Sequence, residues 1–180
     1  MTPGHLPPWP PRPVAYGPVV LREFTAADVA MARELSTDPY VPLIGTLPAN
    51  ASPRQAQDWV DRQRGRLAEG TGFSFAIAEA GTGRAVGGIG LWLASLAQGR
   101  ATAGYSLIPS ARGRGIAAAA LTALTERAGY EREGLLRSHQ EIGGRRRDMF
   151  LYAVTREAPR HASNMPTAER GLSRPAELRI

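Results

Sequence analysis

Cysteine and lysine are both absent from these 180 residues. Without cysteine the chain forms no disulfide, offers no thiolate to a metal and carries no cysteine nucleophile. Without lysine, all 22 basic residues are arginine. A nucleotide-hydrolase P-loop, which needs lysine after its last glycine, is thereby excluded. Histidine is scarce, three in all, and only His139 lies outside the expected tails, so no metal site is expected. No apolar run approaches the ~18 residues of a membrane helix. The opening MTPGHLPPWPPRP lacks a hydrophobic segment, so no secretory signal is expected and the cytoplasm is the expected compartment.

Alanine, glycine, proline and arginine are plentiful, and the formal net charge is +6. Arginines interleave with acids through most of the chain, without a basic stripe or an aromatic platform. Nucleic acid is therefore not an expected partner. The apolar share of 43% and the length suit one globular domain with a substantial core. Residues 1–16, rich in proline, read as a flexible arm and residues 157–180 as a flexible tail, which leaves the domain at 17–156.

Within the domain, Val19–Glu23 reads as a strand. Thr25 caps a helix through AADVAMARELS, with Asp28 as the acidic member of a capping box, and Asp38-Pro39 ends it. Ser52-Pro53 opens a second helix carrying Trp59, Val60 and Leu67. GFSFAIAEA and RAVGGIGLWLA form a hairpin about GTG, and ATAGYSLI adds another antiparallel strand. A loop and an alanine-rich helix follow. LLRSHQEI, a Gly-Gly turn and RRRDMFLYAV close the domain as a second hairpin. The class is α/β (α+β), a mixed and mostly antiparallel sheet flanked by helices.

The loop PSARGRG carries the chemistry. Pro109 stops the strand, Arg112-Gly113-Arg114-Gly115 follows, and Ile116 opens the helix. The first N–H groups of a helix lack partners and sit at its positive end, and glycine lets a phosphate approach them closely. This is a phosphate or pyrophosphate cradle, set against a plain strand-to-helix turn with solvated arginines. Gly113, Gly115 and Ala118 also fit a dinucleotide fingerprint, but the parallel strand ending in an acid that it needs does not follow.

Arg112, Gly115 and Ala117 match the [QR]-x-x-G-x-[GA] signature, and the chain resembles the GCN5-related N-acetyltransferases (GNAT). GPVVLREFTAADV, FAIAEAGTGRAVGGIGL, AGYSLIPSARGRGIAAAAL, AGYEREGLLR and IGGRRRDMFLYAV resemble, in order, segments of its ribosomal-protein alanine N-acetyltransferase branch. The resemblance implies an acyl-CoA N-acyltransferase fold that binds acetyl-CoA as co-substrate, with no metal. Tyr105, Leu107 and Ile108 would pair with the pantetheine arm, and Arg112, Gly113, Arg114, Gly115, Ile116, Ala117 and Ala118 would hold the pyrophosphate. An amine acceptor, a protein N-terminus or a small molecule, would enter between the first two helices and the last hairpin loop and attack the thioester directly. No membrane is involved.

The chain departs from that family in one region. The helix after the loop should lead to a fifth strand, parallel to ATAGYSLI, and then to another helix. Here ALTALTERAGY joins the two ends directly, so the fifth strand and most of the following helix, on the order of 30 residues, are missing. Leu135–Ile142 could take the vacant place as a parallel strand, or a second copy could supply the wall in a homodimer. No catalytic base is identified. Thr102 stands where relatives often carry glutamate, Tyr105 reads as a core aromatic, His139 as structural, and Asp148 as the partner of a hairpin arginine. Trp59 and Trp92 read as core. The alternatives to acetyl transfer are a non-catalytic member binding CoA or protein, and an arginine-rich RNA-binding module.

Overall fold

The computed structural model describes residues 13–95, 97, 101–127 and 131–153. Five strands form one sheet: β1 (Val14–Tyr16), β2 (Val19–Arg22), β3 (Gly72–Glu79), β4 (Ala85–Trp92) and β5 (Thr102–Leu107). They pair antiparallel in chain order. Helices α1 (Val29–Leu35), α2 (Val41–Ile44) and α3 (Pro53–Gly65) lie between β2 and β3, and α4 (Ile116–Arg127) follows β5. β6 (Glu131–Ile142) and β7 (Arg145–Ala153) form a separate two-stranded sheet.

β1 corrects the expectation of an arm through residue 16. Tyr16 pairs with Val19 and Val14 with Leu21 across the Gly17-Pro18 turn, and Val14 is buried in the core. A three-residue strand is too short to register by alternation, but its side chain opposite Leu21 has apolar surface to cover. Residues 1–12 and the expected tail at 157–180 lie outside the described residues.

Both helix starts follow from local chemistry. Asp28 Oδ2 accepts from the Thr25 N–H at 2.8 Å, closing the acidic capping box on a short 3₁₀ turn that precedes α1. Ser52 and Gln55 bond reciprocally at the start of α3, with Pro53 at its first position. That helix ends at Gly65, so Leu67 falls in the turn beyond it. α2, a single turn after Pro39, has no distinguishing signal in the sequence.

Period-two alternation sorts the sheet into two faces. Val19, Leu21, Phe75, Ile77, Ile89 and Leu107 share one face by register and are buried. Against this face α4 packs across β1, β2 and β5, burying Ile116, Ala119, Ala120 and Ala123 at helical spacing. α1 and α3 cover the other face. There Ser74 Oγ donates to Gln63 Oε1 at 2.9 Å, and the Phe24 and Trp59 rings meet edge to face at 5.5 Å. Gly88 lies beneath them, where a Cβ would stand 3.1 Å from the Phe24 ring and press it outward by a few tenths of an ångström.

Two expectations about the end of the domain differ from the structure. Leu135–Ile142 does not take a parallel place beside β5: among the described residues, β6 pairs antiparallel with β7 alone, and β5 with β4 alone. The Gly143-Gly144 turn, with φ of +58° and +74°, closes that hairpin locally, so pairing β7 carries far less loop entropy than a crossover. The polar side chains of Arg137, His139 and Glu141 also unfit β6 for a doubly covered position. Asp148 does not pair with a hairpin arginine; its Oδ1 accepts from the Ser138 N–H at 2.7 Å, next to the register shift in β6. The hairpin tip meets the first half of the domain, where the Arg147 guanidinium lies 5.6 Å from the Tyr40 ring centre.

Candidate functional site: the β5 edge and the loop before α4

After β5, Pro109–Ala111 makes a 3₁₀ turn in which the Ala111 N–H donates to the Ile108 carbonyl at 3.0 Å. Gly113 and Gly115 then take φ of +72° and +73°, the left-handed region, and nothing lies within 4 Å of a Cβ built on either. That conformation favours glycine, and the space above both is open. The Ala119 N–H bonds the Gly115 carbonyl at 3.0 Å as the helix begins. Among the described residues, no protein group accepts from the six N–H groups of Gly113 to Ala118. A cluster of unpaired donors at a positive helix end, with room for a ligand, fits a pyrophosphate.

The side chains of the loop point to other work. Ser110 Oγ donates to Glu34 Oε1 at 2.9 Å. Arg112 bonds Asp38 Oδ2 at 2.5 Å and donates through Nε and Nη2 to the Leu107 carbonyl at 3.2 and 2.8 Å. Arg114 pairs with Glu79 Oε1 at 2.8 Å. Three alternate residues thus each hold a carboxylate, two from α1 and the corner after it and one from the end of β3. Asp38 is buried; the Tyr40 N–H, and then the Arg112 guanidinium, hold its carboxyl below the usual range against the effect of burial. Arg114 likewise holds the Glu79 carboxyl low.

β5 supplies the second half of the site. The Ile108 N–H donates to the Val86 carbonyl at 3.0 Å, so by alternation Ser106 and Gly104 also face β4, and Ala103, Tyr105 and Leu107 present their backbone groups outward. Ile108 has both groups engaged with protein. The Leu107 carbonyl is held by Arg112, which leaves the Leu107 N–H and both groups of Ala103 and Tyr105 open among the described residues. The side chains of Leu107, Ile108 and Ile116 are buried, so Leu107 and Ile116 can offer a ligand only backbone groups, and Ile108, with both of its own engaged, offers none.

The residues considered for proton transfer do not converge. Tyr105 is 38% exposed, not the core aromatic expected, and burial of its inner part, with Tyr40 nearby, pushes its phenol up. Thr102 and His139 are exposed on separate sheets. Trp59 is core, whereas Trp92 is half-buried beneath the Arg66 guanidinium, 5.2 Å from its ring centre. No group of three metal-ligating side chains occurs among the described residues. Hollows of about 330 and 310 Å³ exist, one between α2 and α3 lined by Leu47, Gln55, Asp58 and Arg62, the other around Arg22 and Glu34. Neither includes β5 or the loop. Asp38, Glu34 and Glu79 were not legible as site residues: Asp38 carried only the helix-stop signal of Asp-Pro.

Residues 19–154 match the family model described as the acetyltransferase (GNAT) domain. No curated protein sequence matches. Among solved structures, Mycobacterium smegmatis RimJ, in complex with a CoA-disulfide, is 24% identical with a TM-score of 0.55, covering 82% of this chain and 88% of its own. A GNAT-family acetyltransferase from Bacillus anthracis is 16% identical at 0.53, over 79% and 98%. RimL, the ribosomal L7/L12 alpha-N-protein acetyltransferase, in complex with coenzyme A, is 16% identical at 0.55, over 78% and 96%. At these identities the likeness is one of fold.

Proposed function

Because its family match spans most of its length, the chain belongs to the acetyltransferase (GNAT) family, and from that premise we propose that it binds acetyl-CoA and transfers the acetyl group to a primary amine. The observation that carries this reading is the row of six unpaired N–H groups, Gly113 to Ala118, at the open end of α4. They would take the pyrophosphate, and the outward groups of Tyr105 and Leu107 would pair with the amides of the pantetheine arm as an added strand does. Bound acetyl-CoA supplies the activated thioester. The amine nitrogen bonds to the acetyl carbon, the carbon–sulfur bond breaks, the thiolate departs, and the nitrogen gives its proton to a base or to water. An outward β5 N–H, of Ala103 or Tyr105, is the donor available to the carbonyl oxygen.

A second reading, a member that binds CoA without turnover, rests on the outer edge of β5, which no strand covers among the described residues, and on the separate β6–β7 hairpin. Calorimetric titration with CoA and acetyl-CoA tests both readings. Release of free thiol from acetyl-CoA in the presence of a simple amine then separates them. Binding with turnover supports acetyl transfer, and binding alone supports the second reading. No binding overturns both.

A further inference from the structure

We infer that Arg112 is a positioning residue, which brackets the end of β5 and the cofactor loop to the corner after α1 and does not grip the phosphate itself. The inference rests on the CoA-binding reading of the loop and refines one residue of it. Three observations carry it. Nε and Nη2 both donate to the Leu107 carbonyl, the outward acceptor that closes the open row on β5. Nη2 also meets Asp38 Oδ2, and Asp38 is buried with its other oxygen, Oδ1, committed to the Tyr40 N–H at 2.7 Å. The guanidinium is thus held from two sides, by a carbonyl that cannot move without unzipping β5 and by a carboxylate fixed in a helix corner.

The neighbouring contacts grade the loop. Arg114 pairs with Glu79 through a single contact, both partners reached by solvent, and is the arginine free to turn to a ligand. Arg112 spans two elements and is not. Its planar fork is the reason that arginine suits the place: Nε and Nη2 reach one carbonyl together while Nη2 also reaches the carboxylate, a geometry that an ammonium cannot reproduce. The bracket fixes where the Gly113 to Ala118 donors point before any ligand arrives, so the ordering is complete in the free protein.

Calorimetry with CoA at two salt concentrations tests this on Arg112→Lys, Arg112→Ala, Asp38→Asn and the Arg112→Ala/Asp38→Asn double variant. The expected loss for each single variant is about ten- to a hundredfold in affinity, that of one charge-assisted contact. Lysine should not rescue, and the double variant should be no worse than the singles. The salt dependence of binding should stay that of the parent. Asp38→Asn has the decisive sign. If Arg112 gripped phosphate, removing its competing carboxylate would tighten CoA binding; a bracket requires weakening. Tighter binding by Asp38→Asn, rescue by lysine, or a shallower salt slope in Arg112→Ala would overturn the inference. Hydrogen exchange of the Gly113 to Ala118 amides in the ligand-free protein decides it independently. Faster exchange there in Arg112→Lys and Asp38→Asn, with melting unchanged, supports the bracket, and unchanged exchange sinks it. A parent that binds no CoA would overturn the cofactor reading, while the exchange result would still stand for or against the bracket.

Discussion

Gly115 combines a left-handed φ with open space over its α-carbon, so a side chain there meets backbone strain before it meets a ligand. Alanine should cost about 1 kcal/mol of stability. Aspartate adds a negative charge at the positive helix end and should weaken CoA binding at least tenfold beyond alanine; equal affinities of folded Gly115→Asp and parent would remove the pyrophosphate from this loop. Two carboxyls make a second prediction. Burial pushes Asp28 up, but the bidentate Arg22 contact and the Thr25 N–H outweigh it, so its pKa is lowered. That of Asp38 is lowered by the Tyr40 N–H and Arg112. The unfolded chain therefore takes up these protons at higher pH than the folded one. Their contribution to stability is full above the unfolded value of about 3.9 and is lost as pH falls below it. Urea unfolding between pH 6 and 2.5 should show that loss in the parent and a flatter profile in the Asp28→Asn/Asp38→Asn double variant. Parallel profiles would place the acid sensitivity elsewhere.

Elements were legible where local chemistry decided them. The Ser52 cap with Pro53 announced α3, and Ser52→Ala should cost about 1 kcal/mol in denaturant unfolding, with no change expected in CoA affinity. The alternation of GFSFAIAEA and its glycine-rich partner announced the central hairpin, and Gly143-Gly144 announced the last one. β1 was not legible, because three residues carry no period. Its contribution is through Val14, which is 6% exposed on the face that α4 covers. Truncation through Tyr16 should thus lower the melting temperature by roughly 2–4 °C for each kcal/mol lost, in contrast to a proline-rich arm whose removal would change nothing. An unchanged melting temperature would show β1 to be superfluous.

At the scale of the whole molecule, the sheet ends at β5 among the described residues, and the hairpin forms a sheet of its own that meets the rest at its tip. The outward backbone of Ala103 and Tyr105 is an unpaired strand edge among the described residues, and Leu135, Phe150 and Leu151 of the hairpin are each more than two-fifths exposed. An open edge and exposed apolar strands favour association. Sedimentation should show association that grows with concentration, and Leu151→Lys should reduce it without lowering the melting temperature. A parent that stays monomeric at high concentration would show that the edge and the hairpin are compatible with water as they stand.

The sequence by itself determined the features that act over a few residues: the helix caps, the turn glycines, the strand alternation and the bare backbone before α4. Each depends on the covalent neighbourhood, through φ preferences, side-chain period and hydrogen bonds within one turn. Only the tertiary structure decided what lies 30 to 80 residues apart. It set Asp38, Glu34 and Glu79 against the loop, took Arg112 and Arg114 into carboxylate contacts, turned Tyr105 toward solvent, and kept β6 from the edge of β5. The reason is that charged side chains choose among all carboxylates within reach of the folded chain, and strand edges among all free edges. A linear pattern records neither choice.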